Sequence, residues 1–198
     1  MSHRRGIRIA SGTLRGRTLD VPPGLQVRPM RTRVREAFFN HLGTRLRGAR
    51  FLDVFSGSGA IGIEAFSRGA AEVVLVENAR EVTAVLRRNL QNLDLGRRCR
   101  LLDADIYREG WPQLRAEQAF DIVFLDPPFP TFRESNEKED PRRLLVQLAT
   151  SAVLRAGGLI GHERPTDIDS PSDPPGTRVE FRRSYGDTTL EVWEKCSA

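Results

Sequence analysis

Phe51-Leu52-Asp53-Val54-Phe55-Ser56-Gly57-Ser58-Gly59-Ala60-Ile61-Gly62-Ile63-Glu64 is the stretch that decides the fold. Its first five residues read as a short buried strand, and the glycine-rich turn after them opens a helix. Glycines at such a turn let a ligand approach the backbone, and the helix N-terminus presents unpaired N–H groups. A second apolar strand, Val73-Val74-Leu75-Val76, leads to Glu77, a carboxylate able to hold the two hydroxyls of a ribose. Strand, turn, helix and strand together open a parallel α/β sheet, which binds ligands at the carboxyl ends of its strands.

Gly57, Gly59 and Gly62 also spell a dinucleotide fingerprint, with an acid roughly 20 residues beyond the first glycine. Two observations favour S-adenosyl-L-methionine instead. A chain of 198 residues leaves little room for the separate substrate domain a dinucleotide enzyme needs, and Asp53 suits the cationic amino end of the methyl donor. The candidate cofactor set is Asp53, Ser56, Gly57, Gly59, Glu77 and Asn78.

Asp126-Pro127-Pro128-Phe129 follows the apolar run Phe120-Asp121-Ile122-Val123-Phe124-Leu125. An exocyclic amine on a nucleobase is a poor nucleophile, because its lone pair is delocalised into the ring. An enzyme must therefore orient it. Asp126 can accept one N–H, the Pro127 carbonyl can accept another, Pro127 and Pro128 stiffen the turn, and Phe129 offers a face for an unstacked base. A plainer account is that the prolines only end a strand.

With these motifs in place, the chain resembles the RsmD family of bacterial 16S ribosomal RNA guanine-N2 methyltransferases along nearly all its length. Arg8-Ile9-Ala10-Ser11-Gly12 with Leu14-Arg15-Gly16-Arg17 resembles that family's opening hairpin. Arg28-Pro29 and Arg33-Val34-Arg35-Glu36-Ala37-Phe38-Phe39-Asn40 resemble its first helix, and residues 53–64 and 126–129 its cofactor loop and catalytic motif. The family usually has Thr and then Asp or Ser where this chain has Met30, Arg31 and Thr32. The resemblance implies a Rossmann-like, seven-stranded class I SAM-dependent methyltransferase fold of the α/β class. It also implies a last antiparallel strand formed by the hairpin at Tyr185-Gly186-Asp187, with Asp105 at the cofactor's adenine amino group and Ile106 at its ring or backbone side. Asp103 competes for the Asp105 role. The implied partner is 16S rRNA, within the small subunit or an assembly intermediate, bound by a monomer.

The charge is consistent with an RNA partner. The chain carries 31 basic and 26 acidic residues, a net +5. Residues 1–50 hold twelve arginines and only two acids, Asp20 and Glu36, whereas the remainder is net acidic. A basic arm attracts phosphates through Coulomb forces and counterion release, which makes Arg15, Arg17, Arg28, Arg33 and Arg35 candidate RNA contacts. Arginine supplies nearly all the basic residues of the whole chain, so a coding bias accounts for part of this pattern.

One methyltransferase domain over 1–198 is expected, with a basic hairpin and arm over 1–32 packed on or beside a core of 33–198. A hairpin over 7–21 precedes a helix at 33–46. Strands are expected near 51–55, 72–76, 99–103, 120–125, 158–163, 178–183 and 188–194, with helices between the first five. No apolar stretch is long enough for a membrane span, so a cytoplasmic protein is expected. Cys99, Cys196 and three scattered histidines, His3, His41 and His162, give no metal spacing; His41 and His162 suit packing. Residues 131–140 suit either a lid or a solvated insertion, and 165–177 a surface connection. Adenine-N6 methylation of DNA or RNA uses the same tetrapeptide, and a ribosome-assembly factor that binds cofactor without turnover is a further alternative.

Overall fold

The computed structural model describes residues 6–22, 29–111, 118–134, 139–168 and 173–197. Arg28 lies outside them. Two short strands, β1 (Ile7–Arg8) and β2 (Thr18–Leu19), pair antiparallel with Ile7 opposite Leu19. Helix α1 (Pro29–Leu42) follows, then a 3-10 turn at Gly43–Leu46. The α-helix begins four residues earlier than its apolar stripe suggests, because proline's fixed φ suits a first turn, where its missing N–H costs nothing. It stops at Gly43, whose φ of +54° is left-handed.

The core alternates strand and helix: β3 (Arg50–Val54), α2 (Ala60–Ser67), β4 (Glu72–Glu77), α3 (Arg80–Asn92), β5 (Cys99–Asp103), α4 (Ile106–Glu109) and β6 (Phe120–Leu125). After these come α5 (Thr131–Glu134), α6 (Pro141–Thr150), β7 (Leu154–Pro165), β8 (Thr177–Tyr185) and β9 (Thr188–Lys195). The seven core strands form one sheet in the order β5-β4-β3-β6-β7-β9-β8. The first five are parallel, and β9 inserts antiparallel between β7 and β8. This is the seven-stranded architecture that the resemblance implies, and the 185–187 hairpin makes the antiparallel strand.

Successive residues of each buried strand serve opposite faces. Phe51, Val73, Leu75, Ile122 and Phe124 pack under α1, α2, α3 and the hairpin. Leu52, Val54, Val74, Val76, Val123 and Leu125 pack under α4 and α6. The hairpin lies against the C-terminal end of α2: Thr13 N–H donates to the Ser67 carbonyl at 2.8 Å, and a Cβ on Gly12 would sit 1.8 Å from that oxygen. Only glycine, here at φ +84°, permits that approach. Strand order reverses beside β3, since β4 lies on one flank and β6 on the other. A crevice opens there at the strand ends.

Candidate active site

A cavity of about 500 Å³ fills that crevice. Asp53, Glu77, Asp105 and Asp126, at or just past the ends of β3, β4, β5 and β6, all reach its wall. Glu139 and Glu163 join them, while Arg35 is the one basic side chain there among the described residues. Arg35 is itself paired with Glu64 at 3.0 Å. The cavity is therefore acidic. Such a lining would repel the pyrophosphate of a dinucleotide and attract a cation.

The glycine loop divides its work. Gly57 has φ +56° and nothing within 4 Å of where a Cβ would stand, so its open side is available to a ligand. Gly59 and Gly62 serve packing: a Cβ on Gly59 would lie 2.5 Å from Leu86 Cδ1, and one on Gly62 would lie 2.6 Å from Leu75 Cδ2. Gly59 does not reach the cavity wall. The Ser56 hydroxyl donates to the carbonyls of Asp53 (2.8 Å) and Val76 (3.1 Å), tying the ends of β3 and β4 together. Phe55 takes φ +65°, a costly conformation for an aromatic residue. It turns the chain sharply, and its ring packs 5.3 Å from that of Tyr107.

The carboxylates are held by backbone donors. Asp53, 1% exposed, accepts the Gly62 N–H at 2.8 Å. Burial, opposed by that hydrogen bond and reinforced by the charges of Asp126 and Glu77, pushes its carboxyl up to about 8. Glu77 accepts N–H groups from Gly57, Asn78 and Ala79, each at 3.0 Å. Asp105 caps α4, its Oδ1 accepting from Tyr107 and Arg108 N–H at 3.0 and 3.3 Å. Its rival Asp103 is absent from the cavity wall and pairs on the surface with Arg87 at 2.7 Å.

Beyond Asp126 the chain forms a partition. Pro128 lines both this cavity and a neighbouring one of about 820 Å³, whose wall also holds Phe129, Arg133, Asp167 and Asp187. The Pro128 carbonyl accepts the Thr131 N–H at 3.0 Å, and Phe129 meets Phe132 edge-on at 6.4 Å. Pro127 is buried and on neither wall. Arg133, in the segment after the tetrapeptide, pairs with Asp167 at 2.6 Å across this second cavity.

Besides Gly59 and Pro127, which lie off the cavity walls, two expected positions are corrected. Arg35 is not a surface contact for RNA; it is 5% exposed and held between Glu64 and the Arg8 carbonyl, at 3.0 Å from each, because it falls on the core-facing side of α1 beside Val34 and Phe38. The Ile106 side chain belongs to the apolar cluster under the sheet, so it has only backbone to offer a ligand. Arg15, Arg17 and Arg33 are exposed. The sequence reading missed Phe55, Tyr107, Thr131, Glu139 and Glu163 on the cavity wall. Tyr107 and Thr131 had a usable signal, each standing within a few residues of a motif acid. Burial pushes the Tyr107 hydroxyl up to about 12.

Residues 7–194 match the protein family described as conserved hypothetical protein 95, the RsmD family. The chain belongs to this family. An RsmD-family relative in Escherichia coli strain K12, ribosomal RNA small subunit methyltransferase D, is 42% identical over 127 residues, 62% of this chain and 60% of its own length. YlbH of Bacillus subtilis strain 168 is 29% identical over 96% of this chain and 99% of its own. The solved structure of yhhF from Escherichia coli superimposes with a TM-score of 0.78 at 33% identity, covering 97% of this chain and 99% of that one. The fold is that of the SAM-dependent methyltransferases. Among the described residues, no helix is long and apolar enough to cross a membrane, and no cluster of side chains is arranged to hold a metal ion.

Proposed function

We propose that this protein methylates the exocyclic N2 amine of a guanine in the 16S RNA of the small ribosomal subunit, with S-adenosyl-L-methionine as donor, acting as a cytoplasmic monomer. One observation carries the reading: the acidic cavity at the strand ends, with Asp126 on its wall, and the cavity beside Phe129 share Pro128 as a common wall residue. The first fits a cationic donor and the second has room for an unstacked base, so the target nitrogen would arrive where the two join.

Within the first cavity Glu77 would hold the ribose hydroxyls, Asp105 the adenine amino group with the Ile106 backbone beside it, and Asp53 the amino end. Gly57 and Asn78 would leave the backbone accessible. S-adenosylmethionine, when bound, supplies a methyl activated by a positively charged sulfur. Asp126 and the Pro127 carbonyl would accept the two amine hydrogens, which turns the nitrogen lone pair out of conjugation and toward the donor. Phe129 would carry the base on its face. With the donor's S–CH3 bond exchanged for a new N–C bond and a neutral thioether left behind, the amine would hold a surplus, strongly acidic proton, which Asp126 could receive without being a strong base. Catalysis is then mainly positioning. The hairpin with Arg15 and Arg17, together with Arg33, would meet phosphates as a basic arm on the catalytic core, where each contact adds to the salt dependence of binding.

Transfer of tritiated methyl to 30S subunits, assembly intermediates and naked 16S RNA from a strain lacking the protein tests this directly, with nucleoside analysis of the product. N2-methylguanosine is expected. N6-methyladenosine would change the base, and cofactor binding without label would favour an assembly factor.

A further inference from the structure

A third cavity, of about 450 Å³, lies on the outer surface between α1 and β8. Its wall carries Arg33, Glu36 and Asn40 from α1 and Phe181, Arg183 and Tyr185 from β8. Helix spacing explains the first set, since 33, 36, 37 and 40 fall on one face. Strand alternation explains the second, since 181, 183 and 185 point the same way. β8 is the last strand of the sheet, bonded only to β9, and the groove runs along its junction with α1.

Its chemistry is that of a nucleotide site. Arg183 and Arg33 are exposed, and the Arg183 guanidinium lies over the half-buried Tyr185 ring, 5.4 Å from its centroid, so that ring and guanidinium together form the stacking platform. Among the described residues, neither arginine has a carboxylate partner. The basic side chain below them, Arg45, is by contrast committed to Glu180 at 2.6 Å. Unpaired arginines beside an aromatic face are suited to a phosphate and a stacked base. Asn40 and Glu36 add groups that can bond a base edge.

Its position ties it to the active site. Tyr185 lines this cavity, while the next two residues, Gly186 and Asp187, line the cavity that holds Phe129. One hairpin therefore forms a wall of both. We infer that the groove between α1 and β8 binds a single-stranded nucleotide flanking the target base, with the base on Tyr185 and its phosphate on Arg183 and Arg33. The inference rests on RNA as the substrate, and it predicts that the target lies in a loop or end rather than a duplex.

The test uses the whole protein and a fluorescent RNA fragment of the small subunit that carries the methylated guanine. Tyr185→Ala and Arg183→Ala should each weaken fragment binding by about tenfold, and Tyr185→Phe should bind as wild type, because stacking needs the ring and not the hydroxyl. Tyr185→Ala should lower the melting temperature, because its ring packs on the core, whereas Arg183→Ala should leave it unchanged; S-adenosylmethionine affinity should stay unchanged in both, which separates a local contact from misfolding. RNA bearing 5-iodouridine beside the target should crosslink to Tyr185. Wild-type affinity in both alanine variants would overturn the inference and leave methyl transfer standing. So would a 5-iodouridine crosslink that maps to residues outside the groove between α1 and β8. Weakened binding in a protein that methylates no RNA would support the groove and sink the catalytic reading.

Discussion

Glu77, the last residue of β4, accepts the backbone N–H of Gly57 at 3.0 Å and so clamps the glycine loop to the neighbouring strand. Its other oxygen accepts from Asn78 and Ala79. One carboxylate therefore sets the shape of the loop and faces the cavity.

Glu77→Ala leaves three N–H donors without that partner. Stability should fall by about 1–3 kcal/mol and S-adenosylmethionine affinity by at least tenfold, read by thermal melting and calorimetry. Undiminished cofactor affinity would remove Glu77 from the binding site.

Asp53 gives a pH signature. Its carboxyl ionises near 3.8 when unfolded and about 8 when folded. Between those values folding takes up a proton, so stability is lost as pH rises through this range. Asp53→Asn can keep the Gly62 hydrogen bond while removing the titration. It should flatten the fall in melting temperature between pH 5 and pH 8 and raise it near pH 8, yet weaken S-adenosylmethionine binding. A variant with the wild-type pH slope would contradict the assignment.

Asp126→Ala should lower turnover about a hundredfold or more, because the amine loses its orientation, with cofactor affinity nearly intact. Single-turnover methyl transfer beside calorimetry separates the two effects, and an active variant would refute the proposed role.

Gly62→Ala and Gly57→Ala should differ in kind. The first pushes a methyl toward Leu75, Val73 and Asp53 at 2.6–3.1 Å and should cost about 1–3 kcal/mol of stability. The second meets open space but strains a left-handed residue, at about 1–2 kcal/mol, and should chiefly reduce cofactor affinity. Melting and binding measured on both would expose the assignment as wrong if Gly62→Ala were neutral.

Glu64 is fully buried and holds Arg35, Arg68 and the Ala10 N–H at once. Glu64→Ala strands the buried Arg35 charge and should cost about 3–5 kcal/mol. Proteolysis should then cut the hairpin first, since this contact joins hairpin, α1 and α2. A hairpin as resistant as wild type would show that its anchoring lies elsewhere.

The sequence by itself determined the sheet, because buried parallel strands are continuous apolar runs and each ends at a glycine or acid that local chemistry explains: Val54 before the glycine loop, Val76 before Glu77, Leu125 before Asp126. It also placed four acids at strand ends, since strand direction follows from the repeating strand–helix order. Tertiary structure decided which neighbour each side chain meets. Arg33 and Arg35 are alike in the sequence, yet one is exposed and the other is buried against Glu64. Gly57 and Gly59 share a motif, yet only the first faces open space. The Tyr185 groove needs α1 and the edge strand side by side, although some 140 residues separate them along the chain. Local pattern fixes period and direction, whereas the partner across a cavity is set by how distant elements pack, and that was visible only in three dimensions.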